Sequence, residues 1–265
     1  MAQPVDEPGD PRLSDYRQTG DAAWLRDRGL FVAEGRLVVE RLIAANRIPI
    51  RSILVTPAAA SALARPLSAA PCPVYEVSRE LLEALTGFDF HRGCLALAER
   101  PPAAEPADLL ARSRRVLALE GIGNPDNVGG LFRVAEAFGT DAVLLDPRSG
   151  DPLYRKAIRT SMGAVLRLPF ARLAAWPEPI DAMRQQGFTI LALTPRAPAM
   201  SLADCARSLR GGRLVTLVGG EGEGLTEGVL AMADARVRIP LAAGVDSLNV
   251  VVAAGIALAA LQPLP

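Results

Sequence analysis

Histidine and cysteine are scarce in this sequence, and their scarcity excludes several kinds of chemistry. One histidine and three cysteines occur in 265 residues. Because His91 is the only histidine, a histidine-ligated zinc site and a Ser-His-Asp triad are both poorly supported. Cys72, Cys94 and Cys205 lie far apart with no CxxC pair, which is typical of reduced core thiols in a cytoplasmic protein. We therefore predict no metal site.

Aromatic residues and net charge are also low. Aromatics make up 5% of the chain, which argues against an aromatic stacking platform for single-stranded bases. With 29 basic and 29 acidic residues the formal net charge is zero, whereas a dedicated nucleic-acid binder usually has a basic excess. A local basic face stays possible, since net charge does not describe distribution. Residues 112–115 and 155–159 are candidates, with a solvated helix surface as the alternative.

The chain has no long hydrophobic run. Residues 1–20 are polar and lack the apolar stretch of a signal peptide. The longest apolar run, 248–261, is shorter than the roughly 20 residues that cross a bilayer. These features predict a cytoplasmic protein without membrane contact.

Residue patterns divide the chain into a polar arm (1–20), a small α/β domain (21–100), a proline-containing linker (101–114) and a larger α/β domain (115–265). In the small domain, residues 31–45 have helical spacing, and Ser78 can cap a helix. In the larger domain, short apolar segments alternate with helical ones, which predicts a parallel sheet covered on both faces. Its strand candidates are 116–119, 142–145, 165–168, 189–193, 214–218 and 237–239.

Ligands in parallel sheets bind beyond the carboxyl ends of the strands, and the first polar motif (124–139) directly follows a predicted strand. Asn127 can cap the next helix, and Gly129 and Gly130 permit another backbone or a ligand to approach closely. Arg133 lies on that helix. A capped helix with a solvent-facing arginine explains this segment equally well.

The second motif is the glycine-rich segment 217–225, also directly after a strand. Its spacing is not GxGxxG, and Glu221 and Glu223 would repel a pyrophosphate. It is not a P-loop, because no Lys-Ser or Lys-Thr follows. A nucleotide-dependent dehydrogenase is therefore a poor interpretation. The two carboxylates favour a cationic or neutral ligand, with a tight turn bearing exposed acids as the alternative.

The third motif (239–250) leads into a helix of small residues. Asp246 or Ser247 can supply the N-cap, and Asn249 falls in the first turn. The small side chains that follow allow another helix to pack very closely. A capped core helix is consistent with this segment but does not explain the Ser-Leu-Asn cluster.

These three motifs, in this order, resemble the SpoU (TrmH-type) family of the SPOUT superfamily. Segment 156–164 resembles the stretch that this family carries between its first two motifs. Residues 31–36 and 91–93 resemble the small L30e-like substrate-binding domain that precedes the catalytic domain in many members. The resemblance extends from about residue 10 to about residue 261.

The resemblance implies a fold, a cofactor and an assembly. The carboxyl-terminal part of the larger domain would form a trefoil knot, a rare exception to unknotted topology. The knot would hold S-adenosylmethionine, and a homodimer would build each active site from both chains. By position in the motifs, the cofactor contacts would be Gly219, Ile239 and Leu248, with Leu217 and Thr194 as neighbours.

The resemblance also implies a reaction, methylation of an RNA ribose 2′-hydroxyl. Arg133 would bind the RNA phosphate and stabilise the developing alkoxide, since an arginine stays protonated at physiological pH. The residues orienting Arg133 and the ribose would be Asn127, Glu221, Ser247 and Asn249. Candidate RNA contacts in the small domain are Arg36, His91 and Arg92.

Two positions depart from the family pattern. Ala243 stands where glycine is common, and Val251 stands where serine is frequent. Ribosomal RNA is the predicted substrate. A transfer RNA 2′-O-methyltransferase and a non-catalytic RNA-binding dimer of the same fold are the alternatives.

Overall fold

A computed structural model describes residues 2–86, 93–209 and 211–262. The strands are β1 Gln3–Pro4, β2 Leu30–Glu34, β3 Ile50–Val55, β4 Val74–Glu76, β5 Cys94–Glu99, β6 Arg115–Glu120, β7 Ala142–Leu145, β8 Phe170–Arg172, β9 Phe188–Leu193, β10 Met200–Ser201, β11 Arg213–Gly219 and β12 Ala235–Arg238. The α-helices are α1 Ala22–Asp27, α2 Arg36–Ala45, α3 Pro57–Ala62, α4 Ala64–Ser68, α5 Arg79–Thr86, α6 Pro106–Arg112, α7 Pro125–Ala137, α8 Arg155–Thr160, α9 Pro179–Gln185, α10 Leu202–Ser208, α11 Glu227–Met232 and α12 Val250–Ala260. None of the helices among these residues has the length and apolar character needed to cross a membrane.

The chain forms two compact units, Met1–Pro102 with Leu153–Arg167, and Ala103–Pro152 with Leu168–Pro265. The first unit has a five-stranded mixed sheet in the order β1-β4-β3-β5-β2. Part of the predicted polar arm belongs to its core, because Leu13 and Tyr16 of a 3-10 helix are fully buried. The Tyr16 hydroxyl is hydrogen-bonded to Ser52 Oγ at 2.7 Å.

The helix predicted over 31–45 is shorter than expected. Its first residues form β2, which is buried along its whole length and pairs antiparallel with β5. Gly35, with φ of 101°, turns the chain into α2. The apolar run before Gly35 fits a fully buried strand as well as a helix, and sheet pairing decides between them. Ser78 does cap α5, by accepting a hydrogen bond from Leu81 N at 3.1 Å.

Residues 153–167 were predicted to belong to the larger domain, but they pack in the first unit. Arg155 of α8 forms an ion pair with buried Glu34 at 3.4 Å, and Arg41 of α2 donates to the carbonyl of Met162. The strand predicted at 165–168 is wrong. Ala164–Leu166 is a 3-10 helix entered through Gly163 at φ of 79°. The next strand in the chain is β8, which pairs with β7 at the edge of the sheet.

The second unit confirms the predicted parallel sheet. Its seven strands lie in the order β10-β12-β9-β11-β6-β7-β8, and every neighbouring pair is parallel. The carboxyl ends of β6, β11 and β12 therefore face one edge of the sheet, where the three polar motifs lie. The trefoil knot and the L30e-like character of the first unit stay predictions.

Candidate active site

The glycine-rich loop after β11 is folded tightly against the end of β6. Gly220 N donates to the carbonyl of Glu120 at 2.9 Å, and Gly224 N donates to the carbonyl of Gly220 at 3.0 Å. A Cβ on Gly219 would lie 2.2 Å from the carbonyl carbon of Gly224, and one on Gly220 would lie 2.4 Å from Gly121 O. Both contacts are with backbone, so the loop requires glycine at these positions.

Three predicted catalytic residues, one from each motif, meet beside this loop. Asn127 Nδ2 donates to Glu221 Oε1 at 2.9 Å. Asn249 Nδ2 donates to Asn127 Oδ1 at 3.1 Å and lies 3.3 Å from the same Glu221 oxygen. The two amides thus converge on one carboxylate. Such a hydrogen-bonded set fixes the orientation of each of its members.

The helix caps differ from the predicted ones. Asn124, not Asn127, caps α7 by accepting a hydrogen bond from Asp126 N at 2.9 Å. Asn249, not Asp246 or Ser247, caps α12 through a 2.9 Å bond from Val251 N. Because Asn124 supplies the first cap, the Asn127 side chain is available to the site.

A cavity of about 510 Å³ opens between the loops that follow β9, β11 and β12. Its walls include four predicted cofactor contacts, which are Thr194, Gly219, Ile239 and Leu248. The catalytic candidates Glu221, Ser247 and Asn249 line it as well. Leu217 is placed differently, because its side chain on β11 is fully buried in the core and is not among the lining residues.

Arg133 is not among the residues that line this cavity. Arg133 is exposed on α7, about 120° around the helix axis from Asn127. Arg36 is exposed at the start of α2 in the first unit. His91 and Arg92 lie outside the described residues.

Sequence reasoning missed two buried acids at the carboxyl ends of β6 and β7. Glu120 accepts hydrogen bonds from Thr226 N at 2.9 Å and from Thr226 Oγ1 at 2.8 Å, which ties β6 to the start of α11. Asp146 accepts from Gly121 N at 3.0 Å and from Ser149 Oγ at 2.6 Å. An acid at the last position of an apolar strand is the signal that could have identified Glu120.

Arg172 fixes the loop after β7. Its guanidinium donates to the carbonyls of Asp146, Ser149 and Gly150 at 2.9, 2.7 and 2.9 Å. One planar cation thus satisfies several loop carbonyls at once. This loop in turn supports Gly121, the residue directly after β6.

Val251, which stands where serine is frequent in the family, lies in the contact between two helices. A Cβ on Gly130 of α7 would lie 2.7 Å from Val251 Cγ2. Val251 thus packs directly against the Gly130 backbone, in the contact between α7 and α12. The Val251 side chain thus contributes to the packing of α7 against α12.

Comparison with known proteins identifies the family. Residues 114–259, more than half of the chain, match the SpoU rRNA Methylase family. The chain belongs to the SpoU rRNA methylase family. An uncharacterized tRNA/rRNA methyltransferase of Mycobacterium bovis is 39% identical over 259 residues, covering 96% of this chain and 90% of the relative. This SpoU-family chain is thus a methyltransferase, and this relative is named as a tRNA/rRNA methyltransferase.

Solved structures agree with the fold. An RNA 2′-O ribose methyltransferase is similar with a TM-score of 0.77 and 27% identity, covering 98% of both chains. An rRNA methyltransferase from Sinorhizobium meliloti, with AdoMet bound, has a TM-score of 0.82 at 24% identity and covers 98% of this chain and 97% of that one. The mixed α/β fold with a seven-stranded parallel sheet is therefore the fold of SPOUT methyltransferases.

Proposed function

We propose that this SpoU-family protein transfers a methyl group from S-adenosylmethionine to a ribose 2′-hydroxyl, with ribosomal RNA as the substrate. The observation that carries the proposal is the Asn127–Glu221–Asn249 network, which bonds Asn127 of the first motif to residues of the other two motifs that line one cavity. The similar structure named as an RNA 2′-O ribose methyltransferase supports the reaction type. The family name supports ribosomal RNA.

The cavity fits the cofactor in size and chemistry. Its volume of about 510 Å³ lies within the range of roughly 300–1,000 Å³ of small-molecule sites. Its wall includes the glycine-rich loop, in which Glu221 and Glu223 provide negative charge for a cationic ligand. Thr194, Gly219, Ile239 and Leu248 would hold the cofactor. When bound, its sulfonium supplies an electrophilic methyl group.

The protein's contribution is positioning and electrostatics. The network fixes the Glu221 and Asn249 side chains, and with Ser247 these would orient the ribose beside the cofactor. Arg133 would bind the adjacent phosphate and stabilise negative charge on the 2′-oxygen as its proton leaves. In-line placement of the oxygen would provide much of the rate.

The position of Arg133 fits the proposed homodimer. On α7 it projects at about 120° from Asn127, which faces the network of its own chain. An active site that takes Arg133 from the second chain would resolve this difference in direction. Substrate RNA would also contact Arg36 of the first unit, together with His91 and Arg92.

The test is transfer of labelled methyl from S-adenosylmethionine to bulk ribosomal and transfer RNA, followed by nucleoside analysis for 2′-O-methyl ribose. Arg133→Ala is compared with wild type and with Arg207→Ala. Arg207 is a matched control, because it is an exposed arginine 73% accessible and paired with Asp204 on α10.

We expect label in ribosomal RNA, lost in Arg133→Ala and retained in Arg207→Ala. Label confined to transfer RNA would keep the reaction but change the substrate. Cofactor binding without transfer to any RNA would favour a non-catalytic RNA-binding dimer. A second experiment tests whether the two chains of the dimer share each active site. Arg133→Ala subunits are mixed with Asn249→Ala subunits, and methyl transfer is measured. The mixed dimer would regain one intact site only if Arg133 and Asn249 of a site come from different chains.

A further inference from the structure

Arg196 joins two loops at the mouth of the cavity. It follows β9 and lines the cavity together with Thr194, whose Oγ1 accepts a hydrogen bond from Arg196 N at 3.1 Å. Its guanidinium donates to the carbonyl of Glu223 in the glycine-rich loop and to Glu227 Oε1, the latter at 2.9 Å. One side chain therefore links the β9 loop, the glycine-rich loop and the start of α11.

The glycine-rich loop is held differently at its base and at its tip. Backbone hydrogen bonds of Gly220 and Gly224 close the base. At the tip, Glu221 is bonded to Asn127 on one side, and the Glu223 carbonyl is bonded to Arg196 on the other. Between these two anchors lies Gly222 at φ of 90°, a backbone position with little restriction of its own.

An exposed tip with a glycine at its centre keeps one conformation only if both sides are held. The Glu221 anchor serves the catalytic network, so the second anchor decides whether the other half of the loop keeps its place along the cavity wall. We propose that Arg196 is a positioning residue that holds the glycine-rich loop in its ligand-binding conformation. This inference takes the identity of the ligand, S-adenosylmethionine, from the proposed function. The role of Arg196 in holding the loop does not depend on that identity.

The two bonds of Arg196 differ in importance. The ion pair with Glu227 is exposed, with side chains 45% and 74% accessible, and such pairs contribute little. The bond to the Glu223 carbonyl restrains the loop backbone directly. Removal of the Glu227 charge should therefore matter much less than removal of the arginine.

The experiment combines three variants with two measurements. The variants are Arg196→Ala, Arg196→Lys and Glu227→Gln, with Arg207→Ala as the control for loss of an exposed arginine. Hydrogen exchange of the peptide spanning 219–225 is measured in the ligand-free protein, where the Gly224 amide reports on loop closure. Affinity for S-adenosylmethionine and S-adenosylhomocysteine is measured by calorimetry, and KM and kcat are determined where an RNA substrate is methylated.

For Arg196→Ala we expect faster exchange in 219–225 and about fivefold to tenfold weaker binding of both ligands, the loss of one charge-assisted hydrogen bond. KM for the cofactor should rise while kcat at saturation changes less than about twofold. Arg196→Lys should restore part of the affinity, and Glu227→Gln and Arg207→Ala should resemble wild type.

Two results would overturn the proposal. Weaker binding with unchanged exchange would make Arg196 a direct ligand contact, and unchanged exchange with unchanged binding would leave it no role at the site. Because exchange is measured without ligand or RNA, failure of the proposed methyl transfer would not be confused with either result.

Discussion

The side-chain amide of Asn249 donates a hydrogen bond to Asn127 Oδ1 at 3.1 Å, across 122 positions of sequence. The other end of each amide is also used. Asn249 Oδ1 accepts from Val251 N at 2.9 Å, and Asn127 Nδ2 donates to Glu221 Oε1 at 2.9 Å. Rotation of either side-chain amide would therefore break the hydrogen bond at its nitrogen and the one at its oxygen. One residue thus connects a helix cap to the carboxylate of the glycine-rich loop.

These two tasks of Asn249 can be separated by substitution. Serine can still cap α12 but is too short to reach Asn127, whereas alanine loses both contacts. We expect Asn249→Ser and Asn249→Ala to lower methyl transfer by a similar factor, about tenfold to a hundredfold. Only Asn249→Ala should also lose about 1 kcal/mol of unfolding free energy in urea titrations.

Full activity of Asn249→Ser with an intact fold would show that the cap alone matters. Asn127→Ala provides the complementary comparison, since Asn127 does not cap α7. Asn127→Ala should lower activity while leaving the Asn249 cap at the start of α12 unchanged.

The strand pattern predicted the parallel sheet with polar motifs at the carboxyl ends of its strands, and the family resemblance implied one site that contains Asn127, Glu221 and Asn249. The sequence could not predict that Asn124 and Asn249 act as caps, since several neighbouring residues can supply a cap and local packing selects one. The misassigned start of the helix over 31–45 has a similar cause. An apolar run fits a buried strand or a buried helix, and only β5 decides between them.

Glycine is required at the base of the loop but not everywhere near it. Gly219→Ala would place a Cβ 2.2 Å from a backbone carbon, so we expect a loss of about 2 kcal/mol or more in unfolding free energy and loss of cofactor binding. Gly228→Ala in α11 is the matched control, because beyond the neighbouring backbone of the helix its Cβ would meet nothing closer than Pro177 Cγ at 3.9 Å. It should be neutral or stabilising by about 0.5–1 kcal/mol. Equal behaviour of the two variants in urea titration and calorimetry would refute the steric argument.

The buried carboxylate of Glu120 should be important for stability. Its side chain is 2% accessible and accepts two hydrogen bonds from Thr226. Glu120→Gln replaces an acceptor by a donor facing those groups, so we expect a loss of about 2–4 kcal/mol. Thr226→Val removes the hydroxyl donor and should cost about 1–3 kcal/mol, whereas Thr226→Ser keeps it and should cost less. A small effect of Glu120→Gln in urea titration would mean that a neutral amide satisfies the Thr226 donors as well as the carboxylate does.

Cys94 should make the stability of the first unit depend on alkaline pH. Burial raises the pKa of the Cys94 thiol to about 12, well above its usual value near 9. Between these values the unfolded chain releases the proton and the folded chain retains it, so the contribution is complete below about pH 9 and is lost as the pH rises. Relative to Cys94→Ala, wild type should lose up to about 1.4 kcal/mol per pH unit above pH 9 in urea titrations. A difference that stays constant from pH 7 to about pH 10.5 would show that the thiol ionises equally well in the folded chain.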